Sequence, residues 1–71
     1  MATIHPVVKR FARQLKRHRR VAGLTAAALA RRARISRAYL TQLEGAVREP
    51  SIVTVVQLAK ALGVPVTELL G

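Results

Sequence analysis

Signals that open or close a helix recur at short intervals along this chain, and they leave room only for a set of short helices. Pro6, Thr25, Ser36, Ser51 and Pro65 are openers, and Gly23, Gly45 and Gly63 are stops. Proline suits a first helical turn, where its missing N–H would have had no partner, and Ser or Thr oxygens satisfy the free N–H groups of that turn. The spans so delimited predict helices over 6–22, 25–33, 36–45, 51–62 and 65–70. In the first, Ile4, Val7, Val8, Phe11, Leu15 and Ala22 fall within about 100° of arc, with Lys9, Arg10, Arg13, Lys16, Arg17 and Arg20 in the opposite sector. In the second, Ala26, Ala30 and Ala33 share a side small enough for close helix packing. Tyr39, Leu40 and Leu43 turn inward or partly inward in the third, and Ile52, Val55, Val56, Ala59 and Leu62 repeat at helical spacing in the fourth. The 71 residues are therefore expected to form one all-α domain, with a tight core drawn from Ala, Val and Leu.

Composition excludes several kinds of function. There is no Cys, Asp or Asn, and the only acids are Glu44, Glu49 and Glu68, which leaves little for general acid–base chemistry. No enzyme and no cofactor is expected. His5 and His18 are the only histidines, too few for a metal site without other donors, so both are assigned structural or exposed roles. Thirteen Lys and Arg give a net charge of +10, and the distribution is lopsided: residues 1–43 carry +11 and the remainder −1. Such an asymmetry asks for a polyanionic partner. RNA read by stacking is disfavoured with only Phe11 and Tyr39 available. A membrane-active first helix would leave the later helices without a role, no apolar run reaches the length of about 18 residues that spans a bilayer, and the N-terminus lacks a signal peptide's apolar region. Duplex DNA is the remaining partner.

Two short helices joined by the tight turn Arg34-Ile35-Ser36, the second opening Ser-Arg-Ala and followed by a loop with Arg48, meet the physical needs of a helix-turn-helix. From Leu15 to Leu70 the chain resembles the phage-repressor-like (Cro/Xre-type) helix-turn-helix family. The resemblance rests on Leu15-x-x-x-Arg19-x-x-x-Gly23-Leu24-Thr25, Leu29-Ala30, Ile35-Ser36, Tyr39-Leu40-x-x-Leu43-Glu44, Pro50-Ser51-Ile52 and Leu58-Ala59-x-x-Leu62-Gly63-Val64. It implies a compact, five-helix, lambda-repressor-like DNA-binding domain whose helix-turn-helix is formed by helices 2 and 3.

The resemblance also implies roles. The start of helix 3 reads base edges, which here means Arg37, Ala38, Thr41 and Gln42. Arg37 suits guanine O6/N7, Gln42 suits adenine N6/N7, and Ala38 and Thr41 suit a thymine methyl; the alternative for Arg37 and Gln42 is a sequence-blind phosphate contact or a solvated side chain. Thr25, Arg34, Ser36 and Arg48 fall to phosphates. The family pattern pairs Arg19 with Glu44, a structural ion pair bracing helix 1 on helix 3. Departures from the family are Ala26 in place of a Gln, Arg34 in place of the turn glycine, and a glycine displaced to Gly45 with Ala46 behind it. Homodimer contacts are implied for Val64, Val66, Glu68, Leu69 and Leu70. The expected protein is a cytoplasmic, nucleoid-associated regulator encoded by a bacterium or phage, with a toxin or other protein partner left open. The competing readings are a non-specific DNA-binding protein and an antitoxin-type regulator.

Overall fold

The computed structural model describes residues 5–71, and no strand occurs among them. The elements are α1 (Pro6–Val21), α2 (Ala26–Ala33), α3 (Arg37–Glu44), α4 (Ile52–Leu62) and α5 (Val66–Leu70). Thr25, Ser36 and Ser51 precede their helices as N-caps instead of opening them: each is extended, and its hydroxyl oxygen accepts the N–H three residues on. His5 caps α1 through Nδ1, which accepts from the Val7 N–H at 3.1 Å. Pro65 opens α5 with no side-chain hydrogen bond.

Four helices end in the same way. After each, the amide two residues past the last turn reaches back to a carbonyl five residues earlier: Leu24 to Arg19, Ile35 to Ala30, Val47 to Gln42 and Val64 to Ala59, at 3.0–3.1 Å. This Schellman closure requires a left-handed residue at its bend. Gly23 and Gly63 supply it at φ +71° and +70°, but the other two bends are Arg34 at φ 61° and Ala46 at φ 58°. Gly45 therefore stands one position ahead of the bend that glycine would relieve; its own φ is −86°.

The core is closed by Phe11, Leu15, Leu29, Leu40, Leu43, Leu58 and Leu69, all without appreciable exposure. Each such side chain contributes about 1.5–3 kcal/mol of burial. Ala30, Ala33 and Ala59 lie between them and let α2 approach α4 and α3, while α1 crosses α5 and α3. Two helix stripes differ from expectation. On α1 the buried set is Val8, Phe11, Ala12 and Leu15, whereas Val7 and Ala22 are exposed and Ile4 lies outside the described residues. On α4 the inward stripe is Thr54, Val55, Leu58 and Ala59, and Ile52 is 84% exposed. Thr54 can be buried because its hydroxyl is satisfied, lying 2.9 Å from Ser51 Oγ and accepting from the Tyr39 hydroxyl at 3.4 Å. No helix among the described residues is long and apolar enough to cross a membrane.

Candidate nucleic-acid interface

Rotation of α3 about its axis is fixed by two leucines. Leu40 and Leu43 are fully buried, and residues three apart on a helix share a face, so Arg37, Ala38, Thr41 and Gln42 all point to solvent. Ser36 leads this face. Its oxygen accepts from the Tyr39 N–H at 3.0 Å, which leaves the hydroxyl hydrogen free to donate outward. Thr25 has the same arrangement at the start of α2, accepting from the Ala28 N–H at 3.0 Å. Arg34, at the bend between the two helices, is exposed, as is Arg48 in the loop after α3.

Arg48 is the best-held cation of this surface. Its guanidinium lies 4.9 Å from the centre of the Tyr39 ring, within the range of a cation–π contact, and its Nη1 donates to Gln42 Oε1 at 3.3 Å. Tyr39 in turn donates to Thr54. A chain of contacts thus runs from the cap of α4 through Tyr39 and Arg48 to Gln42, and it orients a side chain on the outer face of α3. The family resemblance assigns Arg48 and Gln42 separate tasks; their closeness depends on the loop path through Ala46, which has no spacing signal.

Beneath this face Arg19 crosses from α1 to α3. Nε donates to Glu44 Oε2 at 2.6 Å, Nη2 to Oε1 at 3.0 Å and Nη1 to the Leu24 carbonyl at 3.0 Å. The two side chains retain 16% and 10% of their exposure, so the pair is largely shielded. Donating to the Glu44 carboxylate raises the Arg19 guanidinium's pKa above its ordinary value, against the opposing effect of burial. Each of the three guanidinium nitrogens donates one hydrogen bond, which makes Arg19 a brace for α3.

Among the described residues one other acid–base contact occurs, His18 Nε2 to Glu68 Oε2 at 3.6 Å, too long for a hydrogen bond. Arg31, Arg32, Arg34, Arg37 and Arg48 have no carboxylate partner there, and the α2–α3 side projects an uncompensated positive field. No cluster of metal-ligating side chains occurs among the described residues.

The residues assigned to a dimer contact divide. Glu68 and Leu70 are exposed, Val64 and Val66 half-buried, but Leu69 is fully buried against the core of its own chain and offers nothing to a partner. Ile52, 84% exposed, and Val53, 65% exposed, were not in the expected set. Ile52 and Leu70 join Phe11, Val55, Val56 and Val66 around an apolar groove of about 200 Å³ between α1, α4 and α5.

Residues 10–70 match the model of a helix-turn-helix domain family. The restriction-modification controller protein C.AhdI from Aeromonas hydrophila superposes with a TM-score of 0.87 at 29% identity, covering 92% of this chain and 98% of that one. The clp gene regulator ClgR from C. glutamicum gives a TM-score of 0.86 at 29% identity, over 93% of this chain and 86% of that one. No curated protein matches the sequence. With α2 and α3 set at a tight turn, the outer face of α3 exposed and a family match over most of its length, the chain belongs to the helix-turn-helix domain family and has the fold of its DNA-binding regulators.

Proposed function

We propose that the chain is a sequence-specific transcriptional regulator that binds a pseudo-palindromic operator as a homodimer and acts as a repressor of its own gene. The observation that carries this is the outer face of α3. Arg37, Ala38, Thr41 and Gln42 are exposed together on a helix whose inner face is locked by Leu40, Leu43 and the Arg19–Glu44 pair. A helix so held enters the major groove as a rigid reader. Arg37 contacts guanine and Gln42, oriented by Arg48, contacts adenine through the second lone pair of Oε1 and its amide N–H groups. Ala38 and Thr41 meet a thymine methyl. Thr25, Arg34, Ser36 and Arg48 hold the flanking phosphates and fix register.

The homodimer forms through the apolar groove side, with Ile52, Val53, Val66 and Leu70 at its centre and Val64 and Glu68 at its rim. A body of 34 × 24 × 20 Å allows two copies to set their α3 helices about one duplex turn, 34–36 Å, apart. The 71 residues act as one DNA-binding unit in the cytoplasm. Contact with a toxin or other protein is a second reading that no feature of the surface favours over the dimer.

Fluorescence anisotropy on duplex DNA from immediately upstream of the gene, against a scrambled duplex of equal length, tests the proposal. A preference of about a thousandfold with two chains per duplex supports it. Equal affinity for both duplexes, together with a random-sequence selection that yields no motif, refutes it in favour of sequence-blind coating.

A further inference from the structure

The outward side of α1 is the largest charged feature that base reading does not use. Lys9, Arg13, Lys16, Arg17 and Arg20 recur at three- and four-residue steps, so they share the face opposite buried Phe11 and Leu15. They edge a shallow groove of about 400 Å³ whose other wall is Glu44, Gly45 and Ala46 at the end of α3. Nothing inside the fold balances them. The first turn of α1 holds no acid, and Glu44 is committed to Arg19. The one polar contact in the row is Arg17 Nη1 donating to Gln14 Oε1 at 3.4 Å. Like charges one turn apart weaken a helix, so α1 is less stable for carrying them and their use lies outside the molecule.

We infer that this face is a second binding site for the phosphate backbone of duplex DNA, taking the flanks of the bound operator. The inference rests on the DNA-binding reading of the chain and concerns a surface which that reading leaves unassigned. From Lys9 to Arg20 the row extends about 16 Å at 1.5 Å per residue, the axial length of about five phosphates on one strand at 3.4 Å each. Steps of four, three, one and three residues spread the cations along that length, so several successive phosphates can be met at once. The groove has no aromatic or methionine side chain, so it offers neither a stacking platform for bases nor an aromatic anchor of the kind that centres a protein interface. A membrane surface would need the apolar side of α1, and that side is inside the fold. The groove ends at Ala46, where the loop that carries Arg48 begins, so the second site adjoins the first.

The test uses the full-length variant K9Q/R13Q/K16Q/R20Q, with R13Q/R17Q as a milder second variant and far-UV circular dichroism to check that both stay folded. Affinity is followed against salt on a duplex of about 20 bp that covers the two half-sites and on the same duplex with about 10 bp added to each end. For the wild-type protein the log–log salt slope is expected to steepen on the longer duplex by about 0.9 for each added phosphate contact, and the quadruple variant to show one slope on both. Its preference for operator over scrambled sequence is expected to be unchanged. If the wild type instead shows no dependence on duplex length but joins two differently labelled duplexes, and the quadruple variant does not, the flank assignment is overturned in favour of a second duplex. Identical slopes for wild type and both variants overturn the inference. So does an equal loss on the two lengths, which would reduce α1 to a general field, or competition by polyglutamate as strong as that by DNA, which would assign the face to an acidic protein. Loss of operator preference in the wild type would refute the proposed function instead, and the dependence on duplex length, measured on scrambled DNA, would still decide this site.

Discussion

Replacing Arg34 with glycine is expected to stabilise the free protein while weakening its hold on DNA. Arg34 closes α2 at φ 61°, ψ 40°, a conformation that costs a residue with a Cβ about 1–2 kcal/mol. Glycine relieves that strain but loses about 0.4–1 kcal/mol to the greater freedom of the unfolded chain. The net gain is about 0.5–1 kcal/mol, which for a domain of 60–100 residues raises the melting temperature by about 2–8 °C. At this bend the exposed Arg34 engages through its backbone N–H, which donates to the Ala30 and Arg31 carbonyls, so little packing is lost with the side chain. On DNA, removing a phosphate contact flattens the log–log salt slope by about 0.9 per protomer. Thermal unfolding by circular dichroism and anisotropy from 50 to 300 mM salt measure the two effects. Ala46→Gly, at φ 58°, should share the thermal gain and leave the salt slope alone. Gly63→Ala, where no atom lies within 4 Å of the added Cβ, should lose about 1 kcal/mol from backbone strain alone. The strain argument fails if Arg34→Gly and Ala46→Gly both leave the melting temperature unchanged or lower it. An unchanged salt slope in Arg34→Gly would remove Arg34 from the DNA contact.

Other substitutions test the brace, the reader and the dimer. Glu44→Ala strands the Arg19 guanidinium in a shielded site and is expected to cost about 3 kcal/mol in denaturant unfolding; a loss below about 0.5 kcal/mol would mean that the pair acts as an ordinary surface contact. Arg48→Ala releases Gln42, and selection on a randomised operator should then show relaxed preference at the one base pair Gln42 reads, with a loss of about 1 kcal/mol of discrimination; unchanged preference would disconnect the two residues. Ile52→Glu alters a side chain that is 84% exposed, so the monomer should stay folded while sedimentation shows the dimer lost. A dimer that survives would have to use another surface.

Helix starts were legible because Thr25, Ser36 and Ser51 are each followed at the third residue by the amide that their hydroxyls accept, a local contact that needs no tertiary context. Helix ends were only half legible. Gly23 and Gly63 mark two of the left-handed bends, but Arg34 and Ala46 carry no such mark. After Arg34 the partly buried Ile35 packs against the core, and ahead of Ala46 Leu43 is fully buried, so packing holds each bend in a conformation that its own residue disfavours. The α4 stripe was misplaced for a related reason. Ile52 and Val56 have the right spacing and chemistry for a core, and Thr54 does not, until Tyr39 and Ser51 supply the hydrogen bonds that let its hydroxyl be buried.

The outer face of α3 was legible to the extent that Leu40 and Leu43 fix one side of an eight-residue helix and leave the other outward. The proposed dimer surface was harder, because α5 has only five residues and a single turn provides no period by which to separate neighbouring leucines. Leu69 and Leu70 are equivalent by composition, yet one is wholly inside and the other 39% exposed. Helical geometry then selects the partners available for association. Val66 and Leu70 lie four apart and share a face, and that face meets Ile52 across the apolar groove. A contact between copies that included Leu69 would have to unpack the α1–α5 contact first. One built on Ile52, Val66 and Leu70 leaves the core intact, so dimer formation and folding should be separable: Leu69→Ala should lower monomer stability by about 2–5 kcal/mol, and Leu70→Ala should weaken association with little change in unfolding of the monomer. The opposite pattern would place the interface elsewhere.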